Sequence, residues 1–262
     1  MRRVQASVLS STAPGRRALQ WWHRRSFWAP ASDDEAHLAF YGAFMGPGDL
    51  VFDVGGNRGV RSRIFHLRGA RPVIFEPQPA LASLLRYTFA ATPAVVVVAA
   101  VGAEAGTMQM FVSRVDLYSS LSPEWLAAMK DSGRFGPAEE WATTGHIDVQ
   151  VRTLDSAIEE YGLPRFMKID VEGYELQVLR GLSVPVPARS MEFATETLDA
   201  TKQCVARIAS LGDYRFQVSL GESMRFEPGG WLTSGDMVSR IDTTLKQQKN
   251  GWGDLCACLS SR

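Results

Sequence analysis

Residues 51–59 read VFDVGGNRG. An apolar run that closes on Asp53 and breaks at Gly55, Gly56 and Gly59 predicts a buried strand, a tight turn and the start of a helix. Glycine takes positive φ and lets backbone approach a ligand closely, and Asn57 also tolerates the left-handed region. A turn of this kind ahead of a helix N-terminus suits an anionic or zwitterionic group. The spacing is not G-x-G-x-x-G, because Asn57 stands where the second spaced glycine belongs. That weighs against a dinucleotide-dependent oxidoreductase.

The same rhythm extends on both sides. Ser32 followed by Glu35 reads as a capping box, which predicts a helix through about Met45. LVFDVG (50–55), PVIFE (72–76), AVVVVAAV (94–101), RFMKID (165–170) and SMEFAT (190–195) read as strands. Helical stretches lie at 57–67, 80–88, 174–180 and 201–211. Near-continuous apolar strands that alternate with helices predict a mostly parallel sheet covered on both faces. YRFQVSL (214–220) and WGDLCACLS (252–260) read as an antiparallel pair at the sheet edge, with no clear helix between them. The stretch from about 103 to 150 breaks the rhythm. Its flanks, TMQMFVS (107–113) and IDVQVRTL (147–154), alternate with period two, and Trp125, Trp141 and His146 lie in or near the span between them. So long a connection in a compact domain is usually functional, and substrate recognition is expected there.

The chain has 262 residues, with 28 Lys plus Arg against 28 Asp plus Glu, so its formal net charge is zero. A general nucleic-acid coat protein would need a basic excess, so no nucleic-acid partner is expected. The balance hides an asymmetry. Residues 1–32 hold six Arg and no acid, a charge of +6, while residues 33–262 hold 22 basic and 28 acidic residues, a charge of −6. A basic, flexible tail over 1–32 and one domain over 33–262 are expected. The tail's Arg pairs and aromatics (Trp21, Trp22, Phe27, Trp28) suit either packing on the domain or contact with a membrane surface. No run approaches the roughly 20 apolar residues of a membrane helix. Cys204, Cys256 and Cys258 are too few for a disulfide scaffold, which suggests a reducing, cytoplasmic location.

Two further stretches carry chemistry. Glu76 ends the second strand, 23 residues after Asp53, where an acid can accept hydrogen bonds from both hydroxyls of a ribose. In FMKIDVEGYELQVLRG (166–181), Asp170 falls at a strand end, Glu172 and Gly173 in the turn, and Glu175 in the first turn of the next helix. Charged groups on this edge of a parallel sheet face the ligand crevice. Lys168 interrupts a strand that should be apolar. It reads either as a site base, substrate anchor or metal ligand, or as half of a structural buried ion pair.

Taken together, FDVGGNRG (52–59), FEPQP (75–79), Ala100-Val101-Gly102, Ser119-Ser120-Leu121, Thr153-Leu154-Asp155 and KIDVEGYE (168–175) resemble, in this order, the blocks of the FkbM family of S-adenosylmethionine-dependent methyltransferases. The resemblance spans about residues 38–260. It departs in Gly56, where alanine is usual, and before Pro93, where asparagines are often seen. It implies the Rossmann-like class I methyltransferase fold, with a seven-stranded sheet and an antiparallel edge strand. It implies S-adenosylmethionine as cofactor and a hydroxyl on a sugar or polyketide-type small molecule as acceptor. Asp53, Gly55, Gly56, Asn57 and Gly59 would hold the methionine moiety and nearby ribose, Glu76 the ribose diol, and Val101 and Gly102 would lie near the adenine.

An alcohol acceptor must lose its proton as the new bond forms. Asp170 is the first candidate for the base and Glu172 the second, with Lys168 beside them; His146 ranks below the carboxylates. Asp155, Asp170 and Glu172 could instead hold a divalent cation, but no metal is expected. The remaining alternative is a non-catalytic S-adenosylmethionine- or nucleotide-binding module of the same fold.

Overall fold

The computed structural model describes residues 24–115, 118–137, 143–243, 245–248 and 251–260. Trp21, Trp22 and Trp141 lie outside the described residues, as does most of the basic tail. In chain order the fold runs α1 (Asp34–Gly42), β1 (Leu50–Val54), α2 (Val60–Leu67), β2 (Arg71–Phe75), α3 (Pro79–Thr88), β3 (Val95–Val97) and β4 (Ala100–Val101). It continues with β5 (Gly106–Ser113), α4 (Pro123–Ser132), β6 (Thr143–Arg152), α5 (Leu154–Tyr161), β7 (Phe166–Ile169) and α6 (Glu175–Arg180). β8 (Ala188–Ala194), α7 (Leu198–Ala209), β9 (Tyr214–Leu220), α8 (Ser234–Thr243) and β10 (Trp252–Leu259) complete it.

Seven strands form one sheet in the order β3-β2-β1-β7-β8-β10-β9. The first five are parallel, and β10 runs antiparallel between β8 and β9. The two faces of the sheet differ in chemistry. On one, Phe52, Val54, Met167 and Ile169 form the main apolar core with α5, α6 and α7. On the other, Val51, Phe166, Ala188 and Cys256 pack under α1 and α2, with Phe40, Tyr41 and Phe65. That second face turns polar toward the carboxyl ends of the parallel strands. Asp53, Lys168 and Ser190 stand side by side across three strands, and Asp254 pairs with Glu192. The period-two alternation of a strand thus places apolar and charged residues on one face but at opposite ends.

Four local features depart from the sequence reading. The run at 94–101 is not one strand: β3 ends at Val97, and Ala100–Val101 joins a separate three-stranded sheet, β4-β6-β5. The capping box does not form, since the cap of α1 is Asp33 and makes no side-chain cap bond. A helix, α8, does lie between the last two long strands, with Met237 and Ile241 buried on one side of it. The helix expected from Asn57 begins at Val60, because Asn57 (φ 46°) and Gly59 (φ 79°) are left-handed.

The fold also reaches back past position 32. Phe27 and Trp28 pack edge-on against Phe89, and Trp28 Nε1 donates to the Thr88 carbonyl at 3.2 Å. Arg63 fastens this segment. It donates to both carboxylate oxygens of Asp34, at 2.6 and 2.8 Å, and to the Ala29 carbonyl at 2.8 Å. The paired guanidinium pulls the Asp34 carboxyl down from 3.8 to about 2. A carboxyl whose pKa is lowered by folding contributes stability above its unfolded value and loses it as pH falls toward its folded value. Asp34→Asn should therefore melt below wild type at pH 7. The gap should close as pH falls from about 4 toward 2. Thermal melts across that range check this; a gap that does not change with pH would show that the pair contributes no such linkage.

Candidate functional site

The turn after β1 is fastened to the end of β2. The amides of Gly55 and Gly56 both donate to the Phe75 carbonyl at 3.0 Å. Gly55 sits at φ +88°, and a Cβ there would lie 1.8 Å from the Asp170 carbonyl oxygen, so the turn and the end of β7 touch backbone to backbone. The next amide, that of Asn57, donates to Glu76 Oε2, and the amide of Gln78 to Glu76 Oε1, both at 2.8 Å. These amides serve the protein, so the turn is built to hold an acid rather than to cradle a phosphate. Glu76 is 3% exposed and lines the cleft. Asp53, on β1, is buried as well. Ser62 Oγ donates to Asp53 Oδ2 at 2.5 Å, and burial pushes the carboxyl up to about 6.

Across the cleft the acids cluster. Lys168 is enclosed, with Nζ 2.7 Å from Asp254 Oδ1 and 3.2 Å from Asp170 Oδ2. Despite its burial, these carboxylates hold the ammonium charged, well above the usual lysine range. Lys168 in turn holds Asp170 low against its burial, with help from a hydrogen bond with Glu192. Glu172 and Glu192 go the other way. Burial raises both well above the ordinary glutamate range, and the Asp170 charge adds to it. Asp170, Glu172 and Glu192 each bring one oxygen within 4.8 Å of the others. Glu175 closes the turn that carries Glu172, accepting from the amides of Val171 and Gly173 at 3.2 Å, and burial raises it to about 7.

The segment between β4 and β6 covers this acidic end. Trp125 of α4 packs over Gly173, where a Cβ would meet the Trp125 side chain at 2.4 Å. Tyr118 and Phe135 stack with centroids 4.0 Å apart, and Arg134 pairs with Glu196 and donates to the Gly251 carbonyl at 2.9 Å. The result is a cleft of about 1630 Å³. Its lining joins the glycine turn and Glu76 to Asp170, Glu172 and Glu192, and joins these to Tyr118, Trp125, Met129 and Phe135.

Most of the residues singled out from the sequence meet in this cleft: Asp53, Gly55, Gly56, Asn57, Glu76, Val101, Asp170 and Glu172. Others do not line it. Gly59 fits against Leu85 and Phe89, Gly102 against Val151 and Tyr174, and Lys168 acts through its two carboxylates. His146 is exposed on β6, and Asp155 accepts from the Ser183 amide at 2.8 Å near the start of α5, apart from the acid cluster. Among the participants missed are Glu192, Asp254 beside Lys168, and the pair Arg61–Glu222. Glu192 had a signal, an acid inside the apolar strand SMEFA. On the rim, Arg61 pairs with Glu222 at 2.6 and 2.7 Å, 161 residues away in the chain, and no local pattern announced that pair.

The family model described as methyltransferase FkbM domain matches residues 53–205, more than half of the chain. The chain belongs to the FkbM methyltransferase family. It is an S-adenosylmethionine-dependent methyltransferase. No curated protein matches the chain. Among solved structures, a precorrin-6Y C5,15-methyltransferase from Geobacter metallireducens is 12% identical, with 88% of this chain and 94% of that one covered and a TM-score of 0.44. A TehB-like SAM-dependent methyltransferase from Corynebacterium glutamicum is 12% identical over 95% and 99% of the two chains, with a TM-score of 0.42. A SAM-dependent O-methyltransferase from Thermotoga maritima is 9% identical over 89% and 67%, with a TM-score of 0.40.

The covering segment of this FkbM-family chain depends on one glycine. Gly173→Ala would force alanine to φ +87° and drive its Cβ into Trp125. The left-handed backbone alone costs about 1–2 kcal/mol. The variant should melt lower than wild type and be cut faster by protease within residues 103–150. Wild-type melting and wild-type cleavage would show that α4 does not rest on this turn.

Proposed function

We propose that this chain methylates a hydroxyl group of a sugar, polyketide or related small molecule, with Glu172 as the base and Asp170 as its charged neighbour. The observation that carries the reading is the divergence of these two acids at one cleft edge. Lys168 keeps Asp170 ionised and therefore weakly basic, while burial and Asp170 raise Glu172 toward a proton affinity useful for general-base work. This order reverses the one expected from sequence position.

The lining fits S-adenosylmethionine. Glu76, fixed by two amides, presents a carboxylate able to accept from a ribose diol. The acid-rich end suits the positive charges of the methionine part. Bound there, S-adenosylmethionine supplies a methyl group that is already activated, so alignment of the acceptor contributes much of the rate. The protein's own work is to hold the acceptor between the aromatic wall and the acids, to exclude water, and to take up the hydroxyl proton at Glu172. The aromatic and acidic lining suits a neutral, hydroxylated acceptor better than a nucleic-acid phosphate chain. Three free cysteines, and the absence of any helix long and apolar enough to cross a membrane among the described residues, are compatible with work in the cytoplasm.

The test is transfer of label from S-[methyl-³H]adenosylmethionine into the low-molecular-weight fraction of an extract of the source cells, followed by identification of the product. Glu172→Gln should slow this transfer on the order of 10²–10⁴-fold. The wild-type rate should rise with pH through a value above the ordinary glutamate range, because the base must be ionised. Transfer at the wild-type rate by Glu172→Gln would remove it as the base. Loss of activity on chelation, restored by Mg²⁺, would point to a cation held by Asp170, Glu172 and Glu192 instead. Glu76→Ala should weaken S-adenosylhomocysteine binding by about 1.5–3 kcal/mol in a calorimetric titration. Unchanged affinity would place the ribose elsewhere.

A further inference from the structure

Glu172 stands in an unusual backbone conformation, at φ +54°. A non-glycine residue in the left-handed region is uncommon, and it persists where surrounding contacts hold it. One of these contacts comes from far along the chain. Ser120 Oγ donates to the Glu172 carbonyl at 2.6 Å, across 52 positions. Ser120 itself is 1% exposed and firmly seated. Its amide donates to the Phe111 carbonyl at 3.1 Å, and its own carbonyl accepts from the Phe111 amide at 2.9 Å. Its hydroxyl also accepts from the Ser122 amide at 2.8 Å. That bond leaves the hydroxyl proton directed at Glu172. Ser120 therefore connects the small sheet of the covering segment to the backbone of the acid itself, beside the contact of Tyr174 with Met108.

We propose that Ser120 is a positioning residue, whose hydroxyl fixes the Glu172 backbone so that the Glu172 carboxylate stays in the cleft beside Asp170 and Glu192. The inference rests on the reading of Glu172 as the base and adds a means of control to it. Seating of the covering segment sets the geometry of the acid, so an acceptor that orders this segment also orders the base. Two supports act on the amides flanking Glu172, through Glu175 at Val171 and Gly173. The Ser120 hydroxyl acts on the Glu172 carbonyl itself. Loss of it would remove the shorter of the two bonds on the peptide after Glu172, which would then keep the Gly173–Glu175 bond at 3.2 Å, and would loosen the carboxylate enough to swing toward water.

The test uses the full chain and two readouts. The first needs no acceptor: carbon NMR titration of ¹³C-labelled glutamate carboxyls, with the Glu172 signal identified by its absence in Glu172→Gln. In Ser120→Ala the Glu172 titration should move down toward the ordinary glutamate range, while S-adenosylhomocysteine affinity stays within about twofold. Ser120→Thr, which keeps the hydroxyl, should restore the wild-type titration. Should Ser120→Ala fail to fold, Ser120→Cys, similar in size and a weaker donor, carries the same comparison. An unmoved Glu172 titration in the folded variant overturns the proposal.

The second readout is the rate of label transfer into the extract fraction, in a double-mutant cycle. Ser120→Ala alone should slow transfer on the order of 10–100-fold, the scale of a misplaced catalytic group. Added to Glu172→Gln, it should change the residual rate by less than about threefold. Losses that multiply would mean that Ser120 acts on the fold and not on Glu172. If Ser120→Ala keeps the wild-type rate while Glu172→Gln does not, the proposal fails and the reading of the base stands. If Glu172→Gln itself keeps the wild-type rate, that reading fails and the proposal with it.

Discussion

A buried lysine ammonium held between two carboxylates is the constraint on which the acidic edge of this sheet depends. Lys168 lies 2.7 Å from Asp254 and 3.2 Å from Asp170, at 2% exposure. An isolated charge in such a place would cost several kcal/mol, and a paired one survives only when its partners are well placed. The topology supplies them. β10 runs antiparallel beside β8 and brings Asp254 opposite Glu192, so the last strand delivers the nearer of the two carboxylates that meet Lys168. With its charge met on one side by Asp254, Lys168 keeps Asp170 ionised on the other. Asp170 in turn makes ionisation of Glu172 and Glu192 harder. Lys168 thus holds Asp170 low, while burial first and the Asp170 charge second push Glu172 and Glu192 up.

The remaining architecture brings two distant surfaces to that edge. The glycine turn after β1 is pressed against the end of β7 so closely that only a glycine fits at position 55. Glu76 is then fixed by amides on either side of it, from the turn of Asn57 and from the start of α3 at Gln78. On the opposite wall the covering segment is tied to the turn after β7 through Ser120 on Glu172, Trp125 on Gly173 and Met108 on Tyr174. Arg134 ties it to Glu196, just after β8, and to the Gly251 carbonyl, just before β10. Its position over the acids is therefore set by contacts with the main domain as well as by its own small sheet.

Much of this was legible in the sequence, for reasons particular residues make clear. The buried parallel strands announce themselves because burial on both faces demands near-continuous apolar runs, as in VFDV and RFMKI, where Asp53 and Lys168 stand out against the rest. Asp53, Glu76 and Asp170 stood out because a charge that ends such a run has few places to go except the ligand edge. The sequence was misleading where one apolar run served two sheets. AVVVVAAV carries no mark of the step between Val97 and Ala100, since it is apolar throughout although Val95 at the sheet edge is exposed and Ala100 is buried. Helix α8 was missed although Met237, Ile241 and Leu245 repeat every four residues. The glycines and serines around them hid the period. Glu192 was visible as an acid within a strand. The pairing of Arg61 with Glu222 was not, because only the folded chain brings α2 beside the turn after β9.

The central claim is that the acid fixed at the end of β2 and the acids gathered around Lys168 are the two ends of one cofactor and acceptor cleft. A crystal structure of the full chain with S-adenosylhomocysteine tests it most directly. The account predicts both ribose hydroxyls within hydrogen-bond distance of the Glu76 carboxylate, with Glu76 still held by the amides of Asn57 and Gln78. It also predicts the sulfur on the side of the cleft that holds Asp170 and Glu172. A ribose bound away from Glu76, or a sulfur facing away from the acids, would contradict it.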